Sequence, residues 1–363
     1  MDQAKAFYRD GDFASVITSL NACEDSIKGI DGIELLASAY FLSGDLTNSN
    51  RLIKLISDSV TSISAKALKA RIAFARSEYV VAYNLYAKLL EMDSTNSTYL
   101  RQLAACADML DSTDQAIYFY QKALEINPED MVSGLKLIHN YLLLDDVTAA
   151  DSLSLKLIAI DSLPDLLFSR GNILYRLKDY TQAFSCYKPL LVTKPSDSEL
   201  YKKAGICKFL VGENDLAIAL LSTANSFRSN DEVTSYYLGM AHQVNNDFKK
   251  AELFLKGAIQ NAISQNMSTY CWRLAVVYES EGSYSKAIET YQLAYKYADH
   301  DNSKSAEIQY EIGRVYETHF GDYKNAIKFY QNYLNSYADT SDEKYKDLLK
   351  KQKSLLEKSK SQK

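Results

Sequence analysis

Four prolines and thirteen glycines in 363 residues are too few for a fold rich in loops or sheet turns. No apolar run approaches the ~18 residues that a membrane-crossing helix needs, and the polar, helix-like stretch Met1 to Asp12 does not read as a secretory signal. The five cysteines, Cys23, Cys106, Cys186, Cys207 and Cys271, are odd in number, far apart and without a CxxC pair, which excludes a metal knuckle or a disulfide framework and leans toward a reducing compartment. The four histidines, His139, His242, His300 and His319, have no metal-ligand spacing. A phosphate-cradling glycine loop, a GxSxG elbow and HExxH are all absent. The net charge of −5 offers nothing to a nucleic acid. The expectation is a chain without enzymatic activity, cofactor or metal.

What the sequence does contain is a repeat. GDFASVITSL (11–20), GDLTNSNRLI (44–53), STDQAIYFYQ (112–121), KDYTQAFSCY (178–187), NDFKKAELFL (246–255) and GDYKNAIKFY (321–330) share one pattern: turn formers, often an aromatic residue, then a small residue with an apolar one four later. The small position is Val16, Ser49, Ala82, Ala116, Ala150, Ala183, Ala217, Ala251, Ala287 and Ala326. Its spacing is 33 or 34 residues through Ala251, then 36, then 39. A second small series precedes it by about twelve residues: Ala37, Ala70, Ala104, Gly171, Gly205, Gly239, Ala275 and Gly313. Between the two stand Gly11, Gly44, Gly212, Gly282 and Gly321, where a helix would end in a left-handed residue.

Physically this is a pair of antiparallel helices per repeat. The two small series mark where the helices cross closely. Asp12, Asp45, Asp179, Asp247 and Asp322 are placed to cap second helices. The bulky residue one turn on (Leu20, Ile53, Tyr86, Tyr120, Tyr187, Leu221, Leu255, Tyr291, Tyr330) is expected to pack into the neighbouring repeat. Pro128 and Pro195 close second helices, whereas Pro189 falls inside one and predicts a kink or an early end. The copy at Ala150 has Ser154 where a bulky residue belongs, and the long last intervals predict extended helices or turns around 259–268 and 295–306. Cys106 and Cys207 take equivalent first-helix positions and read as core fillers. Of the 28 tyrosines, thirteen recur at repeat positions, including the Tyr79, Tyr180, Tyr284, Tyr323 set and the Tyr40, Tyr141, Tyr278, Tyr316 set. These need no partner to explain them.

The pattern resembles the tetratricopeptide repeat family, most closely at Leu167, Gly171, Tyr180, Ala183, Tyr187, Pro195 and at Leu103, Ala104, Ala116, Tyr120, Ala123, Pro128. The resemblance implies an all-α, right-handed superhelical solenoid of about ten repeats: 1–29, 30–62, 63–96, 97–130, 131–163, 164–197, 198–231, 232–267, 268–306 and 307–340. The first repeat begins partway through its first helix, so Met1 is expected close to a trimmed or processed terminus. Residues 341–363 carry eight lysines against four acids, and Leu348, Leu349, Leu355 and Leu356 form a narrow stripe on a helix expected to cap the last repeat. A membrane-surface role for that stripe is disfavoured by its thinness.

The family lines a concave face with first helices and binds protein segments there. Carried over by register, the partner-binding residues are Arg71, Arg101, His139, Asn172, Tyr175, Lys202, Phe209, Tyr236, Met240, Gln243, Trp272, Glu279, Tyr310 and Arg314; Phe74, Asp108, Glu317 and Ile206 stand at related positions. The stretch Phe209, Tyr236, Met240, Trp272 is the most apolar and is expected to be the hot spot, although Trp272 and Phe209 could equally pack between adjacent first helices. Members that grip a chaperone's C-terminal carboxylate use Lys and Asn, then Asn, then Lys and Arg. Asn172 is followed here by Ile206, so that clamp is incomplete.

Two functional readings remain: a scaffold or adaptor for a peptide or extended protein segment, or a non-catalytic regulatory arm of an enzyme or of a cell-envelope or secretion assembly. Self-association through the terminal repeats is a further option. Single-stranded RNA is disfavoured because the chain is acidic and lacks a periodic base-reading code. A cytoplasmic location is weakly favoured, with the cell envelope open if an export signal was removed.

Overall fold

Helix pairs joined by a turn with one left-handed residue make up the chain. The computed structural model describes residues 1–22, 29–56, 62–262, 264–299, 303–335 and 343–361, and every regular element among them is helical. Two units divide the chain, Met1–Ile173 and Leu174–Lys363.

In the first unit the order is α1 (Asp2–Arg9), α2 (Phe13–Asn21), α3 (Ile30–Leu42), α4 (Leu46–Ile53), α5 (Ile63–Ala75), α6 (Tyr79–Met92), α7 (Ser97–Met109), α8 (Thr113–Ile126), α9 (Met131–Leu143), α10 (Val147–Ile160) and α11 (Pro164–Arg176), the last of which carries the division. The second unit continues with α12 (Tyr180–Thr193), α13 (Ser198–Leu210), α14 (Asn214–Phe227), α15 (Glu232–Val244), α16 (Phe248–Asn261), α17 (Ser264–Ser280), α18 (Tyr284–Lys296), α19 (Ser303–Val315), α20 (Tyr323–Asn335) and α21 (Glu343–Ser361). Within each unit consecutive helices pack on one another, and in the second unit the first helices α13, α15 and α17 also touch in succession.

The caps follow the expected chemistry. The carboxylates of Asp12, Asp45, Asp179, Asp247 and Asp322 accept the backbone N–H three residues on. First helices have caps that the repeat pattern did not single out: Ser62, Asn96, Asp130, Asp197 and Asp231. The turn before each second helix needs a positive φ, which Gly11, Gly44, Gly212, Gly282 and Gly321 adopt without strain and which Ser77, Asp111, Asp145, Lys178 and Asn246 adopt in the other copies.

Both small series are buried throughout. Ser49, the one hydroxyl in the second series, satisfies itself by donating to the carbonyl of Ala37 at 2.8 Å. The bulky residue seats first on its own repeat. A Cβ at Gly205 would meet Leu221 Cγ at 2.7 Å, one at Gly239 would meet Leu255 Cγ at 2.6 Å, and one at Gly313 would meet the Tyr330 ring at 2.8 Å. The expected packing into the next repeat is therefore only part of its role. Gly257, by contrast, lies inside α16 with its nearest neighbour, Ser235 Oγ, 3.9 Å from a built Cβ. Gly257→Ala is expected to stabilise the chain by about 0.5–1 kcal/mol, because alanine restricts the unfolded chain and favours helix without a clash. A denaturation midpoint that moves up under urea checks this.

Three local departures have physical causes. Pro189 does not end its helix, since α12 runs on to Thr193. Ser154 leaves room that Arg170 takes: the guanidinium donates to the Ser154 hydroxyl at 2.9 Å and pairs with Asp151. Between Gly313 and Ala326 the sequence has one residue more than the twelve that separate, for example, Ala275 from Ala287. A π-helical turn at Tyr316–Phe320 absorbs it before Gly321 (φ 61°) restores the hairpin. The longer interval before it is met in part by α17, which has 17 residues where most first helices have 13. Residues 263 and 300–302, within the turns expected to be long, lie outside the described residues, as do Cys23 and His300.

The C-terminal helix α21 covers α20. Leu348 and Leu355 are buried with Tyr330 and Leu334, Leu349 is half-buried, and Leu356 is exposed. Lys351 ties the cap down by pairing with Glu317 at 2.8 Å and lying over the Tyr330 ring at 5.4 Å.

Candidate functional site

First helices carry the candidate residues, and each helix spends part of its polar surface on holding its neighbours. Arg101 reaches from α7 to the α9 cap, where one guanidinium nitrogen donates to both oxygens of Asp130 at 2.9 Å. Lys202 makes the same 29-residue reach from α13 to Asp231 on the α15 cap at 3.3 Å and also pairs with Glu199 at 2.7 Å. Burial disfavours the Lys202 charge, but these two carboxylates outweigh it and hold its pKa above the ordinary lysine value. Asp231, whose burial acts the other way, is held below the usual carboxylate range by Thr234 and Lys202. Arg314 on α19 grips Glu279 on α17 through two nitrogens, each at 2.8 Å, and Glu311 at 2.7 Å.

A second device runs inside the repeats. The buried second-helix tyrosine donates its hydroxyl to an acid four residues past the first-helix small position: Tyr120 to Asp108 at 2.9 Å, Tyr291 to Glu279 at 3.3 Å and Tyr330 to Glu317 at 2.6 Å. Asp108 also accepts from Asn140 of the next repeat at 2.7 Å. Asp108, Glu279 and Glu317 thus face inward to a tyrosine. Two buried tyrosines depart from this: the equivalent position is Tyr175 for Tyr187 and Phe74 for Tyr86. Among the described residues the buried Tyr86 hydroxyl has no hydrogen-bond partner. An orphaned buried hydroxyl costs about 1–3 kcal/mol.

Six of the candidates line three cavities. In the second unit, Trp272, Glu279 and Arg314 line one of about 530 Å³ with Arg273, Lys304 and His319. Trp272 and Tyr310 line another of about 450 Å³ with Tyr333, Leu348 and Lys351. In the first unit, Arg71 and Arg101 line one of about 410 Å³ with Phe74, Tyr86, Tyr99 and Gln102.

The remaining candidates are placed differently. Phe209 packs edge-on against Tyr237 with ring centroids 5.6 Å apart, and Tyr236 packs against Tyr237 and Tyr270. Tyr175 meets Tyr180 edge-on at 5.5 Å and shares a hydrogen bond with Tyr237. Asn172, Met240 and Gln243 are half-buried and His139 is exposed. Ile206, at the position that breaks the carboxylate clamp, is buried in the core. Trp272 and Tyr236 are both half-buried against the core that includes Cys271, Leu274 and Ile308.

Arg273, Lys304, Lys351, Tyr99 and Gln102 line cavities and were not among the sequence candidates. Tyr99 and Gln102 sit on α7 outside the carried-over register, and Lys351 belongs to the capping helix, where the repeat has no register to offer.

Cys106 and Cys207 are buried, and burial pushes both thiols up to about 12, far from a reactive thiolate. Among the described residues no group of three or more His, Cys, Asp or Glu side chains could hold a metal, and no helix is long and apolar enough to cross a membrane.

Residues 273–343, from α17 into the start of α21, match the family model of the tetratricopeptide repeat. No curated protein sequence matches the chain. Among solved structures it is similar to MamA, at 24% identity over 46% of this chain and 93% of that one with a TM-score of 0.42. It is also similar to YrrB, described as a TPR protein with an unusual peptide-binding site, at 19% identity over 48% and 91% with a TM-score of 0.46. The Cut9–Hcn1 hetero-tetramer of the APC/C matches at 18% identity over 88% and 62% with a TM-score of 0.49. Helix pairs recur along both units, and residues 273–343 carry the match to the tetratricopeptide repeat family model.

Proposed function

We propose that this protein-interaction scaffold takes its partner as an extended segment along the first helices, anchored at Trp272, and performs no chemistry of its own. The observation that carries the reading is the place of Trp272. It is the chain's sole tryptophan, half-buried on α17, and it lines two cavities of the second unit, with Arg273 and Lys304 in one and Tyr310 and Lys351 in the other. A rigid aromatic flanked by cations and polar groups is the composition of an interface hot spot. The chain's net charge of −5 supports a protein rather than a nucleic acid as the partner.

The test is a selection of twelve-residue peptides from a random library on the full chain, followed by fluorescence anisotropy. Trp272→Ala is expected to weaken the selected peptides by about thirtyfold, or about 2 kcal/mol, with the helical circular dichroism unchanged. Equal affinity in a folded Trp272→Ala chain overturns the reading.

A further inference from the structure

We infer that the cavity of the first unit receives the carboxylate of an aspartate or glutamate side chain from an acidic partner segment, bound by Arg71 and Tyr86. The inference rests on segment binding as the function and adds the charge of the segment; it requires nothing of Trp272.

The argument begins with the tyrosine whose acceptor is missing. Tyr120, Tyr291 and Tyr330 each donate to an acid supplied by their own repeat. In the copy containing Tyr86 the acid is replaced by Phe74, which packs edge-on against Tyr79 at 5.4 Å and has nothing to accept with. Among the described residues the Tyr86 hydroxyl therefore has no partner, although its ring is buried like the others. Three copies build a tyrosine–carboxylate bond at this point of the register, and this copy supplies no carboxylate there. Burial raises the Tyr86 pKa, with the nearby Arg71 opposing weakly, so the hydroxyl stays a donor at neutral pH.

The second observation is the cation beside it. Arg71 and Tyr86 line the same cavity of about 410 Å³. Arg71 is exposed, its guanidinium lies 4.5 Å from the centre of the Phe41 ring, and among the described residues it has no carboxylate partner. Its fellow arginine in that wall, Arg101, is already bonded to Asp130. Contact with the Phe41 ring leaves the N–H edge of the Arg71 guanidinium for a planar acid. Phe41, Ala67 and Phe74 supply apolar wall beside that pairing. A carboxylate matches this donor set, one guanidinium edge and one hydroxyl.

The probe is a fluorescein-labelled decapeptide of Glu, Ser and Leu, compared at low ionic strength with its Gln counterpart and with a phosphoserine version lacking Glu. The full chain, Arg71→Gln and Tyr86→Phe are titrated by anisotropy. The Glu peptide is expected to bind the full chain about tenfold tighter than the Gln peptide. Both variants are expected to lose that preference, while Tyr86→Phe unfolds at the same or a higher temperature because it removes an orphaned donor. A Glu preference that survives both substitutions, no binding of the Glu peptide, or tighter binding of the phosphoserine peptide overturns the inference. Loss of the Trp272 dependence of selected peptides, with the Arg71 and Tyr86 dependence intact, counts against the Trp272 anchor alone.

Discussion

Tyr291→Ala is expected to lower the stability of the second unit by about 4 kcal/mol, and Tyr291→Phe by only about 1 kcal/mol. The difference between the two separates what the ring does from what the hydroxyl does. The ring is fully buried in a core with Ala275, Ala287, Ile308 and Ile312, so truncation to alanine opens a cavity between two repeats. The hydroxyl donates to Glu279 at 3.3 Å, and Glu279 is also gripped by Arg314, so Tyr291→Phe leaves the acid with its charged partner. Urea denaturation followed by far-ultraviolet circular dichroism, with hydrogen exchange to locate the loss, measures both. Repeat units couple mainly to their neighbours, so faster exchange is expected first in α17 to α20. Equal losses for the two variants would mean that the hydrogen bond, not the ring, holds the repeat.

Gly239→Val is expected to cost about 3 kcal/mol through crowding. The new Cβ would stand 2.6 Å from Leu255 Cγ and 3.3 Å from the carbonyl oxygen of Ala251. Leu255 can rotate only into a fully buried core, and the Ala251 carbonyl belongs to the α16 backbone, so neither yields easily. A fall of the thermal midpoint by several degrees, set against the rise expected for Gly257→Ala one helix on, tests whether glycine at this register is a packing requirement. A neutral Gly239→Val would show that the two helices can part without loss.

The repeat was legible because its period is long, regular and marked by size. Ala82, Ala116 and Ala217 announce the helix crossings, and Asp12 or Asp179 after a turn residue announces the second helix. These are local rules of volume and capping, and they transfer from one copy to the next. The extra residue between Gly313 and Ala326 was countable in the sequence, but the count alone did not distinguish a longer turn from the π-helical turn that absorbs it. Pairings 29 residues apart, Arg101 with Asp130 and Lys202 with Asp231, became visible only with the repeats side by side, and they engage two residues that register alone had put forward as partner-binding. Arg170 filling the place beside Ser154 is a single-copy compensation with no counterpart in the pattern. The Tyr86 hydroxyl is the inverse case: Phe74 stands in the register where three other copies carry Asp108, Glu279 and Glu317, so the missing acid was legible once those tyrosine–acid bonds were seen.

Amide hydrogen exchange on the full chain, with and without a saturating selected peptide, tests the central claim most directly. Binding along the first helices predicts added protection in α17 and α19 around Trp272 and Tyr310, with the exposed second-helix positions near Tyr118, Val192 and Leu253 unchanged. Protection gathered at Tyr118, Val192 or Leu253, with α17 and α19 unchanged, would contradict it and place the partner on the second helices.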